Sequence, residues 1–309
     1  MADKPYISVL VPVLNEEESL PELHPRLQES LAGINKPYEI IYINDGSTDR
    51  TEQLLEAFHR EDDRVKVIEF NRNYGQHNAL FAGFDYAAGE IVVTIDADLQ
   101  NPPEEIPRLI AKAEEGYEVV ATYRKNRRDS LFRRLPSYIV NRITAKLVGV
   151  RLRDYGCMLR AYRRNIVDYM NMCPESSSFI PALANTFAKK ITEIEVGHEE
   201  RKKGTSKYSP FKLFRLNFDL MTNFSLLPIQ FISMLGVIIA LVGLAFALFL
   251  MARRIIMGPE GEGTFTLIGI LFFFIGIQIF ALGVIGEYIG RIYQEVRRRP
   301  RYIIKKEYM

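Results

Sequence analysis

The last third of the chain contains two long apolar stretches without a charged residue, Ile229–Ala252 and Phe265–Ile285. Each meets the length of roughly 20 residues that a helix needs to span the hydrocarbon core of a bilayer. The segment between them, R-R-I-I-M-G-P-E-G-E-G-T, is short and rich in glycine. Two such stretches in tandem are not expected of buried core helices. The sequence therefore predicts a two-helix transmembrane hairpin.

Basic residues are concentrated on the two outer flanks of this hairpin. Five precede it and seven follow it, against Arg253 and Arg254 between the stretches: Lys202, Lys203, Lys207, Lys212 and Arg215, then Arg291, Arg297, Arg298, Arg299, Arg301, Lys305 and Lys306. Loops on the cytoplasmic side of a membrane carry the excess of Lys and Arg. Both flanks, and the domain before the hairpin, are therefore predicted to be cytoplasmic.

The first half of the chain alternates apolar runs with amphipathic stretches. The predicted strands are Ile7–Val13, Glu39–Ile43, Val65–Phe70, Glu90–Ile95 and Tyr117–Thr122, and the predicted helices are Glu17–Leu31, Thr51–Phe58, Asn78–Ala88 and Pro103–Glu115. The apolar runs are continuous, which is typical of strands that are covered on both faces. This order predicts an α/β domain with a parallel sheet between two layers of helices.

Polar clusters follow three of these strands, at 15–17, 44–47 and 96–98. Ligands of such sheets bind at the carboxyl ends of the strands. The cluster Asp96-Ala97-Asp98 has a second interpretation, in which Asp98 or Asn101 caps a helix that has Pro102 and Pro103 in its first turn. Because three clusters share one edge of the sheet, the ligand site is favoured.

Charge and cysteine content exclude several classes of protein. The net charge is +2, which is too balanced to indicate a nucleic-acid partner. The two cysteines, Cys157 and Cys173, form no C-x-x-C motif, so neither a disulfide framework nor a zinc site is predicted.

Two stretches interleave basic and apolar residues, Ser130–Val150 and Ser209–Phe224. Basic amphipathic helices of this kind suit a membrane surface. The alternative is a helix that packs on the catalytic domain and keeps a solvated basic face. The neighbouring apolar stretches favour the interfacial interpretation.

A D-x-D motif at a strand end beside a membrane anchor indicates phosphate chemistry at the bilayer. Mg²⁺ and Mn²⁺ are commonly held by one or two carboxylates together with substrate phosphates. Such a metal neutralises a leaving diphosphate. Candidate cations for the remaining phosphate oxygens are Arg124, Arg133 and the segment 200–207.

Four motifs, V-P-V-L-N-E-E-E, N-D-G-S-T-D, D-A-D-L-Q-N-P-P-E and G-T-S-K-Y, span Pro12 to Tyr208. In this order they resemble the inverting family-2 glycosyltransferases of the GT-A (Rossmann-like) fold that use polyprenyl phosphate acceptors. Further segments extend the resemblance over nearly the whole chain: N-R-N-Y-G-Q-H, D-Y-G-C-M-L-R-A-Y-R-R, S-F-I-P-A-L-A-N, G-E-Y-I-G-R-I-Y and R-R-P-R-Y. They resemble a branch of that family that transfers 4-deoxy-4-formamido-L-arabinose from a UDP-sugar to undecaprenyl phosphate, for lipid A modification and polymyxin resistance.

The resemblance implies the roles of the site residues. The nucleotide is bound by Pro12, Leu14, Glu16, Asn44, Asp45, Arg201 and Lys207. Mg²⁺ or Mn²⁺ is held by Asp96, Asp98 and Gln100. The acceptor phosphate meets Arg124, Arg133 and Ser137. The catalytic carboxylates are Asp96 and Asp98, with Asp154 near the reacting centre.

One position departs from the family pattern, which has Asp-Asp-Gly-Ser where this chain has Asn44-Asp45-Gly46-Ser47. An Asp can accept a hydrogen bond from the uracil N3–H, whereas an Asn can accept it only through its carbonyl oxygen. The departure bears on base recognition and not on the reaction.

The resemblance also implies a multi-pass protein of the bacterial inner membrane that forms a homo-oligomer, as a tetramer. Its expected divisions are a cytoplasmic GT-A domain at 1–208 with an interfacial helix near 130–150, a second interfacial helix at 209–226, two transmembrane helices at 227–290 and a cytoplasmic basic tail at 291–309.

Three alternatives stand beside this interpretation. The nearest is another polyprenyl-phosphate hexosyltransferase, of glucose or mannose type. A processive polysaccharide synthase is disfavoured because the chain has no tryptophan for a Q-x-x-R-W motif and only two apolar stretches. A catalytically inactive membrane scaffold would not need the D-x-D motif, Gln100 and the basic segment together.

Overall fold

The computed structural model describes residues 4–124, 157–173, 179–197, 227–258, 264–297 and 299–309. The chain divides into two compact units, one formed by Met1–Leu213 with Arg299–Met309 and the other by Phe214–Arg298. The two predicted interfacial helices, near 130–150 and 209–226, lie outside the described residues.

The first unit alternates strands and helices along most of its length. Its strands are β1 (Ile7–Val13), β2 (Tyr38–Asn44), β3 (Val65–Phe70), β4 (Ile91–Thr94), β5 (Val119–Arg124), β6 (Arg160–Arg163), β7 (Ile191–Val196) and β8 (Ile304–Tyr308). Its helices are α1 (Leu20–Ala32), α2 (Thr51–Glu61), α3 (Gln76–Tyr86), α4 (Ile106–Glu114), α5 (Arg164–Asn171) and α6 (Ile180–Phe187), and a 3₁₀ turn, Pro103–Glu105, precedes α4. The strands and helices predicted in the first half of the chain are therefore confirmed, with shifts of a few residues at their ends.

The described strands form one sheet in the order β7-β5-β6-β4-β1-β2-β3-β8. The central strand β1 pairs in parallel with β2 on one side and with β4 on the other. The prediction of a purely parallel sheet is wrong, because β6 runs antiparallel between β4 and β5, and β8 runs antiparallel to β3. The sheet is mixed, and its parallel centre carries the ends of β1, β2 and β4.

Apolar residues on both faces of this sheet explain why the central strands read as continuous apolar runs. Along β1, Val9 and Val11 pack in the core on one face, and Leu10 packs in the core on the other. The first face is covered by a leucine stripe on α1, at Leu20, Leu23, Leu27 and Leu31, and by residues of α4. Helices α3, α5 and α6 cover the second face.

The second unit contains two long helices, α7 (Leu227–Met257) and α8 (Thr264–Val296). Many of their large apolar side chains are exposed, whereas a helix that is apolar all round is normally buried in a protein core or in a membrane. Among the described residues, one stretch, Phe273–Gly290 in α8, is long and apolar enough to cross a membrane, and the apolar stretch Ile229–Gly243 in α7 is shorter. The predicted two-helix transmembrane hairpin thus remains a proposal.

The chain end returns to the sheet of the first unit, which the description of 291–309 as a basic tail did not predict. Strand β8 pairs with β3 and covers an edge that would otherwise be open to another chain. Tyr302 stacks on Phe70 with ring centroids 4.9 Å apart, and its hydroxyl donates to Asp85 Oδ2 at 2.6 Å. Arg301 lies over the ring of Phe81 at 4.0 Å. Aromatic contacts therefore anchor the strand at its start.

We expect Tyr302→Ala to destabilise the first unit by about 2–3 kcal/mol, because it removes a stacked ring and a hydrogen bond. For a domain of this size, that is a fall in Tm of roughly 4–12 °C. Tyr302→Phe keeps the ring and loses only the hydrogen bond, so its cost should be about 1 kcal/mol. Thermal unfolding of the purified protein in detergent measures both, and equal losses for the two variants would contradict the stacking argument.

Candidate active site

Loops from the carboxyl ends of β1, β2 and β4 meet at one edge of the sheet. The backbone N–H of Asp45 donates to Val13 O at 2.9 Å, and that of Ile95 donates to Leu10 O at 3.1 Å. These bonds continue the parallel pairing beyond the strands and hold the three loops together. Because β1 lies between β4 and β2, this is the switch point at which α/β sheets bind their ligands.

The loops after β1 and β2 are joined by reciprocal hydrogen bonds. Asn15 N–H donates to Ser47 Oγ at 3.0 Å, and Thr48 N–H donates to Asn15 Oδ1 at 2.8 Å. Glu17 N–H donates to Asp49 Oδ2 at 3.2 Å. Asn15 has a φ of 56°, a left-handed conformation that asparagine adopts more readily than most residues. The two loops therefore form one rigid rim.

Three residues predicted to line a nucleotide pocket, Pro12, Leu14 and Glu16, lie on or directly after β1 at this rim. Leu14 is 41% exposed and offers an apolar surface to a ligand. Glu16 is half-buried, and its carboxylate accepts the Ser19 hydroxyl at 2.5 Å. Contact of these residues with a base stays a prediction.

The departure at Asn44 is explained by a glutamate on the next strand. Asn44 is buried, its Nδ2 donates to Glu69 Oε1 at 3.2 Å, and its Oδ1 accepts the Ser47 N–H at 3.0 Å. Lys305 of β8 lies 3.7 Å from the other oxygen of Glu69. Burial raises the pKa of the Glu69 carboxyl, as does the charge of Glu52. An Asp at position 44 would place a second carboxylate against Glu69, so the amide suits this environment.

Asp45 also directs its side chain into the protein. Its two carboxylate oxygens accept the backbone N–H groups of Tyr74 and Gly75, at 2.6 and 2.8 Å. Burial raises the pKa of this carboxyl, and the two N–H bonds oppose that effect. Gly46 has a φ of 74°, and a Cβ there would lie 2.5 Å from the backbone carbon of Arg72. Asn44 and Asp45 thus hold loops in place, and a direct contact with a base stays a prediction.

The D-x-D motif follows β4 with alternating burial. Asp96, Asp98 and Gln100 are half-buried, whereas Ala97 and Leu99 between them are buried. The Gln100 N–H donates to Asp98 Oδ1 at 3.2 Å and closes a turn of the Asx type. The capping interpretation is wrong: Pro102 and Glu105 occupy the N-cap positions of the 3₁₀ turn and of α4, without a capping side chain.

The residues at this motif fit a divalent cation that also binds substrate phosphates. In the described part of the chain, no group of three His, Cys, Asp or Glu residues could form a site made of protein ligands alone. Mg²⁺ and Mn²⁺ often need only one or two carboxylates when phosphates supply further oxygens. Asp96 and Asp98 provide two, and the amide of Gln100 lies on the same turn.

Sequence reasoning gave no role to the start of α3, which adds two residues to this edge. Gln76 Nε2 donates to Asp96 Oδ1 at 2.5 Å. His77 packs edge-to-face on Phe179 at 5.4 Å, and burial lowers its pKa to about 4, so its imidazole is neutral at physiological pH. The motif N-R-N-Y-G-Q-H was the available signal, although nothing in the sequence shows which strand end it meets.

The remaining predicted site residues are not placed by the structure. Asp154, Arg133, Ser137, Arg201 and Lys207 lie outside the described residues. Arg124 is the last residue of β5, and only its backbone is described. Their roles at the reacting centre, the acceptor phosphate and the nucleotide stay predictions.

We expect Asn44→Asp to cost about 1–3 kcal/mol at neutral pH, because it replaces a donor to buried Glu69 with a second carboxylate. The double variant Asn44→Asp/Glu69→Gln should recover most of this loss, since the new amide donates to the new carboxylate. A neighbouring carboxylate raises the folded-state pKa of such a group above its unfolded value. The resulting contribution to stability is fully present below the unfolded pKa and is lost as the pH rises through the folded pKa. The deficit should therefore shrink on acidification toward pH 4.5. Thermal unfolding across pH measures this, and a pH-independent deficit would contradict it.

Comparison with known proteins identifies the family of this chain. The family described as glycosyl transferase family 2 matches residues 8–170, more than half of the chain. An undecaprenyl-phosphate 4-deoxy-4-formamido-L-arabinose transferase of Proteus mirabilis is 53% identical over 303 residues, which is 97% of this chain and 93% of that protein. Proteins with the same name from Pectobacterium carotovorum and Klebsiella pneumoniae are 52% and 51% identical, with the same coverage.

Solved structures share the fold at low sequence identity. Glucosyl-3-phosphoglycerate synthase from Mycobacterium tuberculosis, solved with Mn²⁺, UDP and phosphoglyceric acid, superposes with a TM-score of 0.55 at 20% identity, covering 71% of this chain and 76% of that one. The same enzyme with Mg²⁺ and UDP gives a TM-score of 0.55 and covers 79% of that chain. From its sheet, its family match and its relatives, the chain belongs to glycosyl transferase family 2 and is a glycosyltransferase of the GT-A fold.

Proposed function

We propose that this enzyme transfers 4-deoxy-4-formamido-L-arabinose from a UDP-sugar to undecaprenyl phosphate, with inversion at the anomeric carbon. The sugar and the lipid are those named for relatives more than 50% identical over 97% of the chain. The structural observation that carries the proposal is that Asp96 and Asp98 follow β4 at the edge where the loops after β1 and β2 also lie. Product of this kind would serve lipid A modification and polymyxin resistance.

The chain's own residues divide the work at this edge. The apolar rim at Pro12 and Leu14 would receive the uracil, and the rigid loop 44–49 would border the ribose. Asp96, Asp98 and Gln100 would hold Mg²⁺ or Mn²⁺, which when bound neutralises charge on the leaving diphosphate. The two aspartates must stay ionised for this purpose, and they remain partly open to solvent.

The acceptor imposes little acid–base chemistry. A polyprenyl phosphate oxygen is already anionic at neutral pH, so a strong general base is not required. The site has to align this oxygen with the anomeric carbon and to stabilise UDP as it leaves. Arg124, Arg133 and Ser137 would hold the acceptor phosphate, and Arg201 and Lys207 the pyrophosphate. Asp154 would lie near the reacting centre, and it would affect the rate less than the metal ligands and the basic residues do.

The experiment that tests this function is a panel of UDP-sugars offered with undecaprenyl phosphate in detergent and Mn²⁺, with products identified by mass. We expect transfer of the sugar from UDP-4-deoxy-4-formamido-L-arabinose and little transfer of glucose from UDP-glucose. Asp98→Ala should lower turnover by more than a hundredfold while Tm stays near that of the wild type, because it removes a ligand and no core contact. A glucose or mannose product would instead favour the hexosyltransferase alternative, and normal turnover of Asp98→Ala would contradict the metal assignment.

We further propose that the enzyme crosses the bacterial inner membrane twice, with the GT-A domain in the cytoplasm. Strand β8 follows α8 in the chain yet lies in the same sheet as β1–β7. The segment between β7 and β8 must therefore cross a membrane an even number of times. If Phe273–Gly290 crosses once, α7 supplies the returning span, although its most apolar stretch is shorter. The cation excess on both flanks gives the orientation.

We expect a tag at Met309 and a tag before β1 to be protected from a membrane-impermeant reagent in intact cells and labelled after permeabilisation. A cysteine introduced at Glu260, in the segment between the two apolar stretches, should already be labelled in intact cells. Labelling of only one terminus in intact cells would contradict the even number of crossings.

We also propose the homo-tetramer that the resemblance implies. Light scattering of the purified protein tests this oligomeric state.

A further inference from the structure

A glutamine reaches across the active-site edge to one of the two D-x-D carboxylates. Gln76 is the first residue of α3, and its Nε2 donates to Asp96 Oδ1 at 2.5 Å. The Gln76 side chain is exposed, and Asp96 is half-buried. A long exposed side chain loses conformational freedom when it is held in one geometry. A hydrogen bond from the amide to the carboxylate offsets part of that cost.

The position of Gln76 depends on the buried carboxylate after β2. Asp45 accepts the N–H groups of Tyr74 and Gly75, the two residues that immediately precede Gln76. Gly75 has a φ of 94°, so the chain turns sharply into α3 at this point. Asn78 Nδ2 donates back to Tyr74 O at 2.8 Å and closes the same turn. A contiguous series of bonds thus runs from Asp45 through residues 74–75 to Gln76 and Asp96.

The chemistry of the donor matters as much as its position. An arginine or lysine at this place would orient Asp96 but would also neutralise it and compete with a cation. An amide donates one hydrogen bond and carries no charge, so the carboxylate keeps its negative charge for a metal. Metal ligands are commonly oriented by hydrogen bonds from a surrounding shell, whose loss lowers metal affinity by roughly 10–100-fold.

We propose that Gln76 is a positioning residue for Asp96, that it orients this carboxylate toward the divalent cation and the diphosphate, and that Asp45 acts through it. The proposal deepens the proposed function, since it rests on the D-x-D motif being the metal site. It reassigns Asp45 from the nucleotide base to the support of the metal motif. The link also connects the loop after β2 to the loop after β4.

The experiment measures Mn²⁺ binding to the full-length protein in detergent with UDP present, by the loss of the free Mn²⁺ signal in electron paramagnetic resonance. No turnover is needed for this readout. Gln76→Met keeps the length of the side chain and removes the donor, and it should weaken Mn²⁺ binding by about tenfold. Gln76→Glu places a like charge beside Asp96 and disturbs its orientation. We expect Gln76→Glu to bind Mn²⁺ more weakly than Gln76→Met does.

A matched control and a double variant separate positioning from general damage. Asn73→Ala changes an exposed residue of the same segment and should bind Mn²⁺ as the wild type does. Asp45→Asn retains one acceptor oxygen in place of two, and it should weaken Mn²⁺ binding in the same direction as Gln76→Met. If Asp45 acts through Gln76, the two effects should not add. The double variant Asp45→Asn/Gln76→Met should then have the same Mn²⁺ affinity as the single variant that binds Mn²⁺ less tightly. Tm and UDP binding without metal should stay unchanged in Gln76→Met.

The outcomes distinguish this inference from the function on which it rests. Wild-type Mn²⁺ affinity in folded Gln76→Met would overturn the positioning role while leaving the transferase assignment intact. A wild-type enzyme that transfers sugar without binding a divalent cation would overturn the inference and the metal assignment, and it would leave the sugar-transfer assignment intact. A wild-type enzyme that binds Mn²⁺ but transfers no sugar from the donor panel would overturn the proposed function. Weaker Mn²⁺ binding in Gln76→Met, with normal Tm and normal Asn73→Ala, supports the inference.

Discussion

The parallel pairing of β1 with both β2 and β4 is the constraint on which the site depends. It brings three strand ends to one edge, and backbone bonds from Asp45 and Ile95 extend the pairing into the loops. The pairing is stable because both faces of β1 are covered by apolar residues from helices on either side. Most buried positions of the described central strands are apolar, and the polar clusters of the site follow the points where these strands end. The candidate active site therefore lies where the hydrophobic core ends.

Three carboxylates near this edge accept hydrogen bonds from uncharged amides. Asp45 is satisfied by two backbone N–H groups, Asp96 receives the amide of Gln76, and Glu69 receives the amide of Asn44. Backbone and side-chain amides satisfy a carboxylate without cancelling its charge. The substitution of Asn for the usual Asp at position 44 belongs to the same pattern, because Glu69 already supplies the negative charge there.

The strand that follows the two long helices in the chain belongs to the sheet of the first unit. Strand β8 closes the open edge at β3, and Lys305 brings a positive charge within 3.7 Å of buried Glu69. The stacked rings of Tyr302 and Phe70 hold the beginning of this strand. Strand β8 is therefore part of the fold of the first unit, although two long helices separate it in sequence from β7.

Local patterns in the sequence were sufficient for the central strands, the helices between them and the polar strand ends. Continuous apolar runs such as Ile7–Val13 need only two covered faces, and a D-x-D motif after such a run identifies the functional edge. The antiparallel strands β6 and β8 were not predictable, because their pairing depends on partners far away in the chain. The hydrogen-bond partners of Asn44, Asp45 and Gln76 were not predictable for the same reason. A side chain's hydrogen-bond partner is a property of the packed fold, and Asp45 meets residues about thirty positions further along only after β2 and α3 have packed.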